Sequence, residues 1–257
     1  MLISAIAAAT LAIVGYCLWV RRDTWRSRWE AGATFAIAME GCALFLLTPW
    51  AATQLGPALH SLLGLWNVQQ VAGWLCLIAG VMGNIYHMLV RLTAAPHVWP
   101  VMRKHLLVPV GLGIAVMLVA FFNSEREFEP DMFIRLNGDR WLTAFEVAAG
   151  ALLLFLSGYV GRLMVALRPD HRARATLVLY LAAMAFAVTA CVVAIISIAI
   201  GRYAGPVIWV CVCLSVGIFA YGLARSWQAK KAWFRPNRAA ASDECAPRDS
   251  NPQPSDP

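Results

Sequence analysis

Charge is what this 257-residue chain has least of: Asp, Glu, Lys and Arg make up 14% of it, against 60% hydrophobic residues. With a mean hydropathy of +0.64 and its apolar residues gathered in long runs, the chain cannot solvate its whole surface, which excludes an ordinary soluble domain. Lysine is scarcer still. Of 21 basic residues only Lys104, Lys230 and Lys231 are lysines, and all three fall outside the apolar runs. A retinal-type Schiff base needs a lysine amine inside a helix, so that chemistry is excluded. His87 and His105 on consecutive runs invite a haem reading, but no second histidine pair lies across the membrane from them. No phosphate loop, HExxH motif, nucleophile elbow or triad spacing is present. The expectation is therefore neither an enzyme nor a cofactor or metal protein. The seven cysteines do not change this: Cys17, Cys42, Cys76, Cys191, Cys211 and Cys213 sit inside apolar runs, where a thiol packs as a small hydrophobe, and Cys245 is in the tail.

What is present is a series of bilayer-length runs, about 20 apolar residues each, at 2–20, 32–53, 67–93, 105–122, 141–167, 176–200 and 207–224. They predict an all-α, polytopic membrane protein with seven transmembrane helices over 1–227 and a cytoplasmic, largely disordered tail over 228–257. The connections expected between runs include a short link at 54–66, a proline-rich stretch at 94–104, a longer acidic loop at 123–140 with a turn at Asn137-Gly138, and a basic loop at 168–174. Alternate loops hold very different positive charge: 21–30, 91–104, 162–174 and the stretch from 225 carry 17 Lys+Arg, the others 4. The positive-inside rule then puts the amino terminus outside and the carboxyl terminus in the cytoplasm of a plasma (inner) membrane. Trp29, Trp50, Trp66, Trp99, Trp141 and Trp227 suit an interfacial belt. The net charge of +7 is spread over these loops rather than gathered in a patch, so nucleic acid is not an expected partner; the lipid bilayer is.

The third run, NVQQVAGWLCLIAGVMGNIYHMLVRLT, carries a stripe. Gln70, Gly73, Leu77, Gly80, Asn84, His87 and Arg91 follow at alternating steps of three and four, which puts all seven on one helix face. A polar, glycine-bearing face on a spanning helix turns toward other helices. The bundle is expected to pack around it. Small residues at Ser157, Gly158, Gly161, Gly217 and Gly222 suggest further close helix approaches.

Glu40 lies deep in the second run, where a carboxylate must be protonated, paired or facing water. Antiparallel packing against the third run would place it near Asn84 and His87. Two readings stand side by side: a polar cluster that binds a cation or relays protons, and a hydrogen-bonded clasp between two helices. Glu146, near the outer end of the fifth run, either sits at a water-filled mouth or pairs with an arginine of the outer loop. Arg91, Arg162 and Arg225 are either interfacial anchors or an inner basic ring for an anionic group.

The turn Leu62-Leu63-Gly64-Leu65-Trp66-Asn67, the basic first loop, and Arg162 and Arg168 resemble an actinobacterial family of seven-helix integral membrane proteins, found in mycobacteria and their phages and often described as transporters. The similarity extends over 21–227, with Trp66 where those proteins usually carry proline. It implies seven spans and no established reaction. Function thus divides into two expectations. One is transport or permeation of a small solute or ion through a polar site of Glu40, Asn84, His87 and Glu146, between the second and third spans. The other is a non-catalytic membrane adaptor or sensor, for which the resemblance implies a phage or prophage origin, acting through a basic cytoplasmic face.

Overall fold

The computed structural model describes residues 2–27, 29–93, 95–124, 128–131, 133, 139–167, 174–200 and 204–234. Its helices are α1 (Leu2–Val20), α2 (Ala31–Leu47), α3 (Pro49–Leu63), α4 (Val68–Leu92), α5 (Ala95–Met102), α6 (Val108–Asn123), α7 (Arg140–Ala166), α8 (Arg174–Ile200) and α9 (Gly205–Phe234), with a 3-10 turn at Arg22–Arg26 and a π-helical segment at Arg103–Leu107. The chain is all-α across the described residues. Six stretches are long and apolar enough to cross a membrane: α1, α4, Pro96–Asn123, α7, Thr176–Ile200 and Gly205–Lys231; α2 and α3 join them only as a pair, bent by 79°. This is the build of a membrane-embedded, multi-pass protein. The expected turn at Asn137-Gly138, the basic loop at 168–173, Cys245 and the tail from 235 onward lie outside the described residues.

Three connections differ from the sequence reading. The run expected to continue to residue 53 stops at Leu47. Pro49 clashes with the backbone before it and drives Thr48 into an extended conformation (φ −65°, ψ 145°), which ends α2. The same Thr48 caps the next helix, its Oγ1 accepting from the Ala51 N–H at 3.2 Å, with Pro49 in the first turn where proline is tolerated. The link read as a loop at 54–66 is therefore mostly helix α3, closed by Gly64 in the left-handed region (φ 69°). Likewise the proline-rich stretch is helical from 95 onward and continues into α6, so that Pro96–Asn123 forms one long apolar stretch. Pro109 has no N–H for the carbonyl four residues back and crowds it, and the helix widens to a π form immediately before it. Finally, α9 runs ten residues past Ala224, to Phe234, so 228–234 is helix rather than tail.

Packing arranges α2, α4, α7, α8 and α9 as a closed ring, each against the next, with α9 returning to α2. Helix α1 backs the α2–α9 side, and α6 backs α7. Helix α8 is apolar around its circumference and only 11% of its spanning stretch is buried within the chain, the pattern of a helix turned toward lipid. Helix α4 is the opposite case, with half its spanning stretch buried. Trp29, Trp50, Trp99 and Trp141 are exposed at or near helix ends, as an interfacial belt requires.

Candidate functional site: a cavity inside the helix ring

The α2–α4 seam is built on glycine. A Cβ on Gly80 would lie 3.0 Å from the Ala36 carbonyl oxygen and 3.0 Å from Glu40 Cγ, and one on Gly83 would lie 3.3 Å from the Gly32 carbonyl oxygen. The two backbones approach closely because both sides lack bulk there. This registers the helices: Gly32 stands level with His87, Ala36 with Gly83 and Gly80, Glu40 with Gly80, and Leu47 with Gly73. The stripe on α4 thus faces other helices for most of its length, and Gln70, Gly73, Gly80, Asn84 and His87 are buried. Not every small residue serves a contact: a Cβ on Gly158 or Gly161 would meet nothing within 4 Å.

Between the helices of the ring lies a partly open cavity of about 240 Å³, reached by Glu40, Asn84, Glu146, Ser157, Tyr180 and Ser197 among mainly apolar neighbours. On α7 its lining extends from Thr143 to Met164, a rise of about 32 Å at 1.5 Å per residue. It therefore follows the bundle over roughly the thickness of a hydrocarbon core. Glu40 and Asn84 are each 8% exposed. No hydrogen bond from a described residue reaches the Glu40 carboxyl, and Asn84 Oδ1 is buried without a partner. Glu146 is half-buried and lines the same space nearer the opposite end from Tyr180.

His87 is placed elsewhere. It stands level with Gly32, eight residues and so about 12 Å along α2 from Glu40, and it does not line the cavity. Its neighbours in charge are Arg91, Glu30, Arg21 and Lys230. Three of the four expected site residues share one cavity, then, and the fourth belongs to a separate cluster.

That cluster escaped the sequence reading. Arg21, 1% exposed, donates from Nη2 to Glu30 Oε2 at 2.9 Å, from Nε to Thr34 Oγ1 at 3.1 Å and from Nη1 to the Leu223 carbonyl at 3.3 Å. Glu30 Oε1 accepts from Arg91 Nη2 at 3.1 Å and from Lys230 Nζ. One carboxylate thus binds three cations and ties the ends of α1, α2, α4 and α9 together. Burial alone would raise the Glu30 pKa, but hydrogen bonds and charge from Lys230 and Arg21 outweigh it and hold the carboxyl at about 2. Arg162 and Arg225 are exposed and take no part, so no inner ring of arginines forms. A signal existed in the sequence: the antiparallel register that aligns the second and third runs also brings Glu30 opposite Arg91.

At the opposite end, part of the 123–140 loop folds over the ring. Glu129 accepts at its backbone oxygen from Gln70 Nε2 at 2.6 Å, and its N–H donates to Asn67 Oδ1 at 3.1 Å. Asp131 accepts from the Trp209 indole N–H at 3.0 Å and from the Phe133 N–H at 3.0 Å. Burial pushes the Asp131 carboxyl up in pKa against the pull of these two donors. Phe133 lines the cavity, with Trp74 and Trp209 edge-on to it at 6.0 and 5.4 Å.

No group of three or more potential metal ligands is found among the described residues. Comparison with family models, with curated proteins and with solved structures finds no match to this chain.

Proposed function

We propose that the protein binds a small solute in the cavity inside its helix ring and moves it across the membrane. The observation that carries this reading is the pairing of Glu40 and Asn84: two buried oxygen-bearing groups, unsatisfied by the described residues, facing an elongated cavity at intramembrane depth. Unpaired polar groups in a membrane interior are costly unless water or a ligand meets them. A mere clasp between α2 and α4 would have hydrogen-bonded Glu40 to α4; its methylene stem instead packs on Gly80, which offers no side chain. The solute site therefore includes α7, α8 and α9 as well as the second and third apolar runs. The adaptor reading has less support, because Arg21, Arg91 and Lys230 are engaged with Glu30 and Lys231 with Asp23, which leaves fewer free charges to meet a partner. Reconstitution in liposomes containing pH- and potential-sensitive dyes tests the reading. Wild-type vesicles should respond to an added small organic solute or ion, and vesicles with Glu40→Gln should not. Silence of the wild type toward both classes of solute would remove transport.

A further inference from the structure

The reading above leaves the solute open; the lining narrows it. Among the described residues that line the cavity there are two carboxyl side chains, Glu40 and Glu146, and no Lys, Arg or His. Arg21, Arg91 and Lys230 are held at one end of the bundle by Glu30, and none of them lines the cavity. An anion entering beside Glu40 would meet a carboxyl group, the Asn84 oxygen and apolar walls, at low dielectric, where the cost of unmatched charge is largest. An inorganic cation fares little better. Divalent ions require about six oxygen ligands at short range, and the cavity offers isolated oxygens separated by Leu, Val, Ala, Met and aromatic side chains. What the walls complement is a molecule with an apolar body and one cationic, hydrogen-bond-donating head.

From this we infer that the cavity selects an organic ammonium compound, an amine with an aryl or alkyl body, whose head is received between Glu40 and Asn84. The proposal rests on the solute-binding reading and specifies its ligand. Glu40 supplies an acceptor for a charge-assisted hydrogen bond. Asn84 Oδ1, buried without a partner, supplies a second acceptor about one helical turn along α4 from the Gly80 contact. An ammonium group carries up to three donors and no acceptor, so it matches two acceptors where a hydroxyl or carboxylate does not. Trp74, ten residues and so about 15 Å along α4 from Asn84, and Phe133 beside it line the part of the cavity that an apolar body would occupy, and a volume of about 240 Å³ suits a body of roughly the size of a phenylalkyl group.

The test is calorimetric titration of the full-length protein in lipid nanodiscs with three probes of one shape: 2-phenylethylamine at neutral pH, 2-phenylethanol and phenylacetate. Empty nanodiscs correct for partition into lipid. Saturable binding of the amine, at least about tenfold tighter than the alcohol and the acid, is expected, as is a loss of about tenfold in Glu40→Gln. If Glu40→Gln does not fold by size-exclusion chromatography, Asn84→Ala reads the same site and should weaken the amine selectively. Equal binding of amine and alcohol, unaffected by these substitutions, would overturn the ammonium assignment while leaving the cavity as a binding site. Tightest binding of phenylacetate would overturn it in sign. No saturable binding of any of the three probes would sink the solute-binding reading itself.

Discussion

A single carboxylate holding three cations makes Glu30 the residue on which one end of the molecule depends. Arg21 is almost wholly buried, and its guanidinium stays satisfied only while Glu30, Thr34 and the Leu223 carbonyl receive it. Replacing Glu30 by Gln leaves three like charges together without their counter-ion. The expected loss is about 3 kcal/mol of stability, measured as a shift in the thermal unfolding of detergent-solubilised protein. A pH dependence follows with a definite sign. The Glu30 pKa is held at about 2, below its ordinary 4.5, so its contribution is present above about 4.5 and is lost as pH falls from there toward 2. Wild type should lose more melting temperature than Glu30→Gln across that window, and equal losses would show that the cluster contributes nothing. Residue-level legibility divides along the same line. Glu40 and Asn84 stood out because polar side chains are rare in apolar runs, and antiparallel adjacency brought them to the right helix pair. His87 was assigned to them because hydropathy fixes depth only to within a turn or two. The register is set by where Gly80 and Gly83 let the backbones touch, and that places His87 level with Gly32, beyond Glu40's reach.

Helices in this chain were legible wherever a long apolar run made them, and were missed where the sequence was mixed. Helix α3 contains Pro57 and His60 and begins with a proline, so hydropathy reads it as a link; the Thr48 cap, Pro49 in the first turn and Gly64 at the end are the local chemistry that makes it a helix. Helix α5 was passed over for the same reason, since its two prolines and flanking charges outweigh its apolar residues in any window. Glycine spacing was a weaker guide than it looked, because it marks where backbones are able to approach without saying that they do. The seam between α2 and α4 separates the cases. Gly80→Ala brings a methyl against backbone atoms, the Ala36 oxygen at 3.0 Å and the Glu40 nitrogen at 3.3 Å, which cannot rotate away; about 1–3 kcal/mol of destabilisation is expected. Gly83→Ala meets the ring of Phe35 at 2.8 Å, a partly exposed side chain, and its nearest backbone atom, the Gly32 oxygen, lies at 3.3 Å rather than 3.0 Å, so its cost should be smaller. Gly158→Ala meets nothing within 4 Å and should be neutral or stabilising by up to about 1 kcal/mol through helix propensity. Thermal unfolding of the three variants gives the order; a Gly158 effect as large as that of Gly80 would contradict the seam described here.

At the scale of the whole molecule the question is what the broken pair α2–α3 does. Helix α2 has 17 residues and so rises about 26 Å, slightly short of a typical hydrocarbon core. Yet it must carry the chain from the Glu30 cluster, at the end of α1, back to the opposite end where α4 begins. Its register against α4 is continuous from Gly32–His87 to Leu47–Gly73, so it traverses the ring rather than dipping into it. Helix α3 then turns away by 79° and its exposed side chains include Trp50, Leu62 and Leu63, as expected of a helix lying along a membrane interface. This geometry favours α2 as a short crossing, which with the six longer stretches makes seven, over a re-entrant α2–α3 hairpin, which would leave six. The two differ in a measurable way. Arg22, exposed near the end of α1, and Ser61, exposed on α3, lie on opposite membrane faces if α2 crosses and on the same face if it re-enters. Single cysteines at these positions, in a background with all seven native cysteines replaced, should react with a membrane-impermeant maleimide from opposite sides of sealed vesicles. Arg22→Cys should label from the side that carries the Glu30 cluster, and labelling in intact cells tests the expectation, from the distribution of 17 against 4 positive residues, that this side is the cytoplasm. Labelling of both from one side would make α2–α3 re-entrant. The intramembrane depth of Glu40, and with it the cost that argues for a ligand there, would then have to be given up.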